Sequence, residues 1–185
     1  MAKHLAKDNF VYFVDRPYTW RDYAKFKNTP EFKRRQPHFF SADNCIIDTE
    51  IPNLKVVICP PLPSINALPE GKFYRMMLKF NESIVGSRIR KVIERLNITD
   101  YIFINSYNFT LPTVHKMLKP ALSVYHCVDP LIEPYQLKHG LVSENILVQN
   151  VDMVISTSKE LRNKKALLNK NSYFIPNAAN ISHSS

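Results

Sequence analysis

Apolar residues in this chain are grouped into short runs, rich in β-branched side chains, that alternate with segments of helical periodicity. Such alternation is typical of repeated strand–helix–strand units, which build a parallel sheet. The runs are apolar along most of their length, as expected where helices cover both faces of a sheet. The predicted strands are Phe10–Val14, Val56–Cys59, Tyr101–Asn105, Leu122–Cys127, Met153–Thr157 and Ser172–Ile175.

Three helices are predicted from apolar residues that recur three or four positions apart. The clearest runs from about Phe73 to Leu96, and its other face consists largely of Lys, Arg, Glu and Ser. A second helix precedes Asp152, and a third begins after Ser158, its N-cap, and ends near Asn169. Strands and helices in this order predict an α/β fold.

The beginning of the chain departs from the usual order of such a fold. A doubly wound sheet normally begins with a strand, a glycine-bearing turn and a helix. Here residues 2–7 have the pattern of the last turns of a helix whose beginning is missing. The sequence therefore predicts a Rossmann-like, doubly wound parallel sheet that lacks its first, central strand. In that case Phe10–Val14 and Val56–Cys59 would be separated from the other strands.

The segment from Arg16 to Phe40 is the most basic and most aromatic part of the chain, and its pattern predicts a loop. Two interpretations stay open. In one, it is a long insertion that folds its aromatic side chains onto the core and leaves its charges solvated. In the other, it docks on a membrane surface or an acceptor, because aromatic side chains favour the interface while Lys and Arg attract anionic headgroups. Stacking on single-stranded nucleic acid ranks lower.

The net charge of +9 favours an acidic partner, such as a nucleic acid, an anionic membrane surface or a phosphorylated substrate. Three widely spaced cysteines predict neither a zinc site nor a disulfide framework, and no metal-ligand cluster is visible. The start MAKHLAKDNF lacks the apolar core of a signal peptide, and no apolar run is long enough to span a membrane. These features predict a cytoplasmic protein.

The order of features becomes specific between Leu122 and Ala178. A strand LSVYHCVDP is followed by SENILVQNVDMVISTSKELRNKK and then by NSYFIPNAAN. This part resembles the N-terminal, acceptor-side domain of glycosyltransferases of the GT-B class, which have two facing Rossmann-like domains. His126 stands where an acid is common in that class, and Ala178 replaces a glycine. The residues that match are Tyr125, Asp129, Glu144, Asp152, Ser158, Leu161, Pro176 and Asn177.

The resemblance implies an enzyme that transfers a sugar from a nucleotide-sugar donor to a glycan or lipid-linked acceptor during surface polysaccharide synthesis. Such an enzyme would work in the cytoplasm, peripherally at the inner face of the membrane. It implies no cofactor and no metal. It also implies that residues 1–180 form an incomplete acceptor-side domain, that 181–185 begin a linker, and that the C-terminal donor-binding domain is missing. We therefore expect little or no transferase activity from the isolated chain.

Several polar side chains fall at or just after predicted strand ends, where the loops of a parallel sheet form a crevice. Asp129 and His126 are the candidates for a catalytic base or for a group that holds the acceptor. Asp129 is alternatively a turn residue before Pro130, and His126 a satisfied core histidine. The acceptor-binding candidates are Asn105, Ser106, Tyr107, Arg16 and Trp20, and the candidates near the donor are Ser158 and Asn177.

Two other functions fit the same sequence. A non-catalytic, basic Rossmann-like module would bind nucleic acid through mostly sequence-independent phosphate contacts. A degenerate remnant would have no activity of its own. The cations that would serve the binding module are Arg21, Lys25, Lys27, Lys33, Arg34 and Arg35.

Overall fold

The computed structural model describes residues 1–41, 43–134 and 136–177, and the chain divides into two compact units. The first unit comprises Met1–Ile98, and the second begins at Thr99. Each unit has its own sheet. The boundary predicted at residue 180 and the linker predicted at 181–185 lie outside the described residues.

The first unit is built around a three-stranded mixed sheet. Its strand order is β1-β3-β2, with β1 parallel and β2 antiparallel to the central strand. In chain order the elements are α1 (Ala2–Leu5), β1 (Val11–Val14), α2 (Trp20–Phe26), α3 (Pro30–Arg35), a 3₁₀ turn (Gln36–His38), β2 (Ile46–Asp48), β3 (Leu54–Val57) and α4 (Lys72–Arg95).

The segment predicted as a loop contains two short helices, α2 and α3. Thr19 caps α2 through a capping box, in which its hydroxyl accepts the Asp22 amide and Asp22 accepts the Thr19 amide. Thr29 caps α3 in the same position, and Pro30 follows it as the first helical residue. The loop prediction was wrong because it relied on composition and overlooked these two starting signals.

The same segment folds its aromatic side chains inward, as one of the two interpretations expected. Phe32 and Phe39 are buried together with Ile58, and their rings meet edge to face at 5.3 Å between centroids. Trp20 and Phe40 remain exposed by 48% and 68%. The segment is thus part of the core on one side and presents two aromatic rings to solvent on the other.

The bounds of the long helix α4 agree with their prediction to within one residue. Gly71 precedes it with φ of 156°, a backbone conformation that glycine adopts without strain. The helix buries Leu78, Val85 and Val92, which lie seven residues apart along one face. Each such side chain contributes roughly 1.5–3 kcal/mol when fully removed from water.

The second unit is a four-stranded, all-parallel sheet flanked by helices, a Rossmann-like α/β arrangement. The strand order β4-β5-β6-β7 follows the chain. Its elements are β4 (Ile102–Ser106), α5 (Val114–Leu118), β5 (Leu122–Cys127), a π-helical turn (Gln136–Gly140), α6 (Leu141–Asn150), β6 (Met153–Ser156), α7 (Lys159–Ala166) and β7 (Ser172–Phe174).

The core of the second unit lies between one face of this sheet and helices α6 and α7. Tyr125 and Val154 from the strands pack with Leu147, Val148 and Leu161 from the helices. Near the start of β5, the Asp152 carboxylate accepts hydrogen bonds from both the amide and the hydroxyl of Ser123, each at 2.7 Å. Those bonds lower the pKa of Asp152 and fix the turn into β6.

All six predicted strands are present within a residue or two of their predicted ends, and the α/β class is confirmed. As predicted, β1 and β3 belong to a different sheet from the strands that follow Thr99. The sequence did not predict β2, whose three residues pair antiparallel to β3.

Candidate functional site

The candidate site lies in the second unit, at the edge where the parallel strands end. Asp129, Ser158 and Asn177 follow three neighbouring strands, and the structure brings all three to one open cleft of about 200 Å³. Its complete lining is Val128, Asp129, Pro130, Thr157, Ser158, Glu160, Leu161 and Asn177. The crevice expected from the sheet topology is therefore present and polar.

Each polar residue of the cleft is placed by local backbone geometry. Asp129 is exposed in the loop that follows β5. Ser158 is the N-cap of α7, as predicted, and its hydroxyl accepts the Leu161 amide at 3.1 Å. Thr157 joins two of the loops, because its hydroxyl donates to the Val128 carbonyl at 2.5 Å. The β5 and β6 loops are thus held together.

The charged groups of the cleft are acidic. Asp129 and Glu160 both line it. Glu160 is paired with Lys164 at 2.7 Å, and this hydrogen bond lowers the pKa of the Glu160 carboxyl. No such pair neutralises Asp129 within the described ranges. Carboxylates beside serine and threonine hydroxyls and an amide suit the hydroxyl groups of a sugar better than a phosphate.

His126 does not line this cleft but pairs with Ser106 on the adjacent strand. Its Nδ1 lies 3.2 Å from the Ser106 hydroxyl oxygen. Burial lowers the pKa of His126, so the ring is neutral near pH 7 and Nδ1 can accept the serine hydrogen. Two predicted residues are thereby brought together, at a place separate from the Asp129 cleft.

Tyr107 connects these two places. Its backbone has φ of 56°, an uncommon value for a residue other than glycine. Its amide donates to the His126 carbonyl at 3.0 Å, and its hydroxyl donates to the Pro130 carbonyl at 3.2 Å. Burial and the charge of Asp129 raise the pKa of Tyr107. The tyrosine therefore braces the loop that carries Asp129.

Asn105 is engaged within its own loop. Its side-chain oxygen accepts the Asn108 amide at 2.8 Å, and its side-chain nitrogen donates to the Asn108 carbonyl at 3.0 Å. The residue is buried. These two bonds shape the loop after β4, and a role for Asn105 in acceptor binding stays a prediction.

Arg16 and Trp20, the other two acceptor-binding candidates, belong to the first unit. Arg16 is exposed. Trp20 stacks on Phe40, with ring centroids 6.3 Å apart and planes inclined by 21°. Their assignment to acceptor binding stays a prediction.

Sequence reasoning missed the buried network beneath β5. The Glu144 carboxylate pairs with Lys165 at 2.6 Å and accepts the Tyr125 hydroxyl at 2.8 Å. Burial is the largest cause that raises the pKa of Tyr125. Only the fold brings α6, α7 and β5 together, so no local sequence signal identifies Lys165.

Within the described residues, no cluster of three or more His, Cys, Asp or Glu side chains is arranged to hold a metal ion. Across the same ranges, no helix combines the length and apolar character needed to cross a membrane. No protein-family model, curated protein or solved structure matches the chain.

Proposed function

We propose that this chain forms the acceptor-binding part of a glycosyltransferase that moves a sugar from a nucleotide-sugar donor to a glycan or lipid-linked acceptor. The observation that carries the proposal is the cleft around Asp129, Ser158 and Asn177 at the ends of three parallel strands. In this proposal the enzyme serves surface polysaccharide synthesis in the cytoplasm, at the inner face of the membrane.

Asp129 is the catalytic base, or the group that holds the acceptor hydroxyl in line for transfer. It is exposed, it lines the cleft, and no described ion pair neutralises it. Tyr107 acts as a positioning residue, because its hydroxyl is bonded to the backbone of the Asp129 loop. Ser158 and Asn177 supply polar contacts on the donor-proximal side of the cleft.

His126 has a different position in the same proposal. Its ring is neutral and hydrogen-bonded to Ser106, and together these two residues provide a second polar contact for the acceptor, outside the Asp129 cleft. The chemistry needs no metal in this scheme, since the base removes the proton of the acceptor hydroxyl and the nucleoside diphosphate leaves with the negative charge.

Acceptor binding can be tested on this chain directly. Backbone amide signals are recorded by NMR while neutral monosaccharides and disaccharides are added. We expect shifts at Asp129, Thr157, Ser158 and Glu160, with the amide of Lys72 at the start of α4 as the internal control. Saccharides that move none of these four signals, or that move signals across the whole chain equally, would contradict the proposed acceptor site.

Donor binding is tested on the protein purified from its native host. We expect one uridine or guanosine diphosphate sugar to raise its melting temperature, because a ligand that binds only the native state stabilises it. The free sugar and the nucleoside monophosphate serve as controls. A complete panel without any thermal shift would count against transferase function.

The basic binding module is the second candidate, because five of its six predicted cations are exposed. The sixth, Arg35, pairs with Asp15 at 2.5 Å. This candidate predicts binding to single-stranded DNA that weakens about 10²-fold between 50 and 200 mM salt. Salt-independent or undetectable binding to DNA, together with saccharide binding at the Asp129 cleft, would decide for the transferase.

A further inference from the structure

A second cleft lies entirely within the first unit, against the middle of α4. It is open, has a volume of about 320 Å³, and shares no lining residue with the Asp129 cleft. Its complete lining is Phe40, Pro60, Ser83, Ile84, Ser87, Arg88 and Lys91. This volume is at the lower end of small-molecule sites, which span about 300–1,000 Å³, and therefore suits a ligand with one ring.

One wall of the cleft is polar because of helical spacing. Ser83, Ser87 and Lys91 recur every four residues, so they lie one above another along α4. The Ser83 hydroxyl donates to the Phe80 carbonyl at 2.7 Å, which leaves its oxygen able to accept from a ligand. Ser87 and Lys91 are exposed. The wall thus offers two hydroxyl groups and an ammonium group in a row.

The charge of this wall is positive. Arg88 is buried and donates to the carbonyls of Phe39, at 2.6 Å, and Ser41. Neither Arg88 nor Lys91 forms an ion pair with a carboxylate in the part of the chain that the structure describes. Two cations without a counter-charge attract an anion, and the carbonyl bonds hold the guanidinium in place beforehand.

The rest of the lining is apolar and includes an aromatic ring. Phe40 is 68% exposed and stacks on Trp20, which is itself 48% exposed. Phe40 lines the cleft and can cover the apolar face of a sugar ring, whereas Trp20 packs against Phe40 and does not line the cleft. Pro60 lies in the same cleft. Phe40 and the cationic wall can therefore contact two different parts of one ligand.

We propose that this cleft is a binding site for a sugar phosphate, with the sugar ring on Phe40 and the phosphate at Lys91 and Arg88. Ser83 and Ser87 hydrogen-bond to sugar hydroxyls or to phosphate oxygens. The ligand is either a free sugar phosphate or the phosphoinositol headgroup of a lipid, because both carry the same two chemical features. The site is independent of the Asp129 cleft.

Trp20 provides the measurement, because it is the only tryptophan of the chain and stacks on Phe40. Its fluorescence is followed while the chain is titrated with glucose 6-phosphate, glucose or inorganic phosphate. We expect glucose 6-phosphate to bind at least tenfold more tightly than either of the other two. Equal affinity for glucose and glucose 6-phosphate, or for phosphate and glucose 6-phosphate, would overturn the proposal.

Matched variants separate the two walls. Lys91→Gln should weaken glucose 6-phosphate binding about tenfold, the effect of losing one charge-assisted hydrogen bond. Lys72→Gln is the control, since Lys72 is exposed on the same helix about 28 Å away along its axis. Phe40→Ala should weaken binding of the sugar phosphate and leave binding of inorganic phosphate unchanged. Because this variant removes the partner of Trp20, its titrations are followed by calorimetry.

The source of the ligand is decided with vesicles. Sedimentation with phosphatidylcholine vesicles containing 10% phosphatidylinositol is compared with vesicles containing 10% phosphatidylserine. Binding to phosphatidylinositol alone, competed by glucose 6-phosphate and lost in Lys91→Gln, identifies the lipid headgroup. Binding of soluble glucose 6-phosphate without preference between the vesicles identifies the free sugar phosphate. Failure of Lys91→Gln to differ from Lys72→Gln in every titration would overturn the assignment to this cleft.

Discussion

Lys165 and Glu144 form an ion pair beneath the sheet of the second unit, with 2.6 Å between Nζ and Oε2. Their side chains are exposed by only 11% and 4%. The other carboxylate oxygen of Glu144, Oε1, accepts a hydrogen bond from the Tyr125 hydroxyl, so both oxygens of this carboxylate have a partner. The pair joins α6 to α7 below strand β5, whose following loop carries Asp129.

Lys165→Met should lower the free energy of unfolding by about 3–5 kcal/mol, because it leaves the Glu144 charge buried without its partner. The matched control is Lys164→Met, which removes the neighbouring lysine from an exposed pair with Glu160. That variant should unfold almost as the parent does. Urea unfolding followed by circular dichroism compares the two, and equal midpoints would show that the buried pair does not stabilise the fold.

Asp129→Ala should reduce sugar transfer far more than it reduces stability in the protein purified from its host. The physical reason is that Asp129 is exposed and lines the cleft, so its removal empties no part of the core. Asp100→Ala, at another exposed aspartate of the second unit, is the control. Transfer rates and melting temperatures are measured for both, and unchanged transfer would return Asp129 to a turn residue before Pro130.

Acidification should destabilise the second unit because His115 is held neutral. Its Nε2 lies 3.0 Å from the Asn150 carbonyl, while its Nδ1 is buried without a partner. Burial lowers the pKa of His115, so the unfolded chain binds this proton more readily than the folded one. The folded state therefore keeps its full stability at neutral pH. It loses stability as the pH falls below about 6.5, the ordinary pKa of histidine, because only the unfolded chain then readily takes up the proton.

The histidine effect is measured as urea midpoints at pH 7.5 and 5.5 for the parent and for His115→Gln. Glutamine stays neutral and can still donate to the Asn150 carbonyl. The variant should therefore lose less stability than the parent when the pH is lowered from 7.5 to 5.5. His126 acts in the same direction, since burial lowers its pKa too, and part of the dependence should remain. An identical loss in parent and variant would remove His115 as a cause.

The cysteines should resist alkylation in the folded protein. Burial raises the pKa of Cys59 and of Cys127 to about 12, and all three thiols are buried. Because the thiolate is the reacting species, iodoacetamide at pH 8 should modify none of them in native buffer and all three in guanidinium chloride. Intact mass spectrometry counts the additions, and rapid native labelling would mean that the described burial is wrong.

The sequence predicted the strands because each is a short apolar run bounded by polar residues, and this signal is local. β2 was missed because three residues, Ile46–Asp48, give too little pattern, although Cys45-Ile46-Ile47 is a faint apolar signal. The helices at 20–26 and 30–35 were missed although Thr19 and Thr29 announce them. The prediction of a loop relied on the charged and aromatic composition of the segment, although both N-cap signals can be recognised from the sequence.

The site was predictable in part for the same reason. Strand ends can be located from sequence, so Asp129, Ser158 and Asn177 could be placed at one sheet edge before their cleft was seen. The side chain of Asn105 is hydrogen-bonded within its own loop. Such bonds depend on backbone turns that the spacing of residues in the sequence does not reveal. Lys165 is identified only by the packing of α7 against α6.

The order of strands in the two sheets has a consequence for how the chain folds. In the second unit every strand pairs with the next one in sequence, as Ile102 does with Leu122. In the first unit Val11 pairs with Leu54, and β2 lies between them in the sequence. The chain between these two partners is about twice as long as that between Ile102 and Leu122. A doubling of loop length adds only about 0.6 kcal/mol to the entropic cost of loop closure. Contacts between more distant residues form more slowly. The parallel sheet can therefore grow strand by strand during synthesis, whereas the mixed sheet waits until its third strand has left the ribosome.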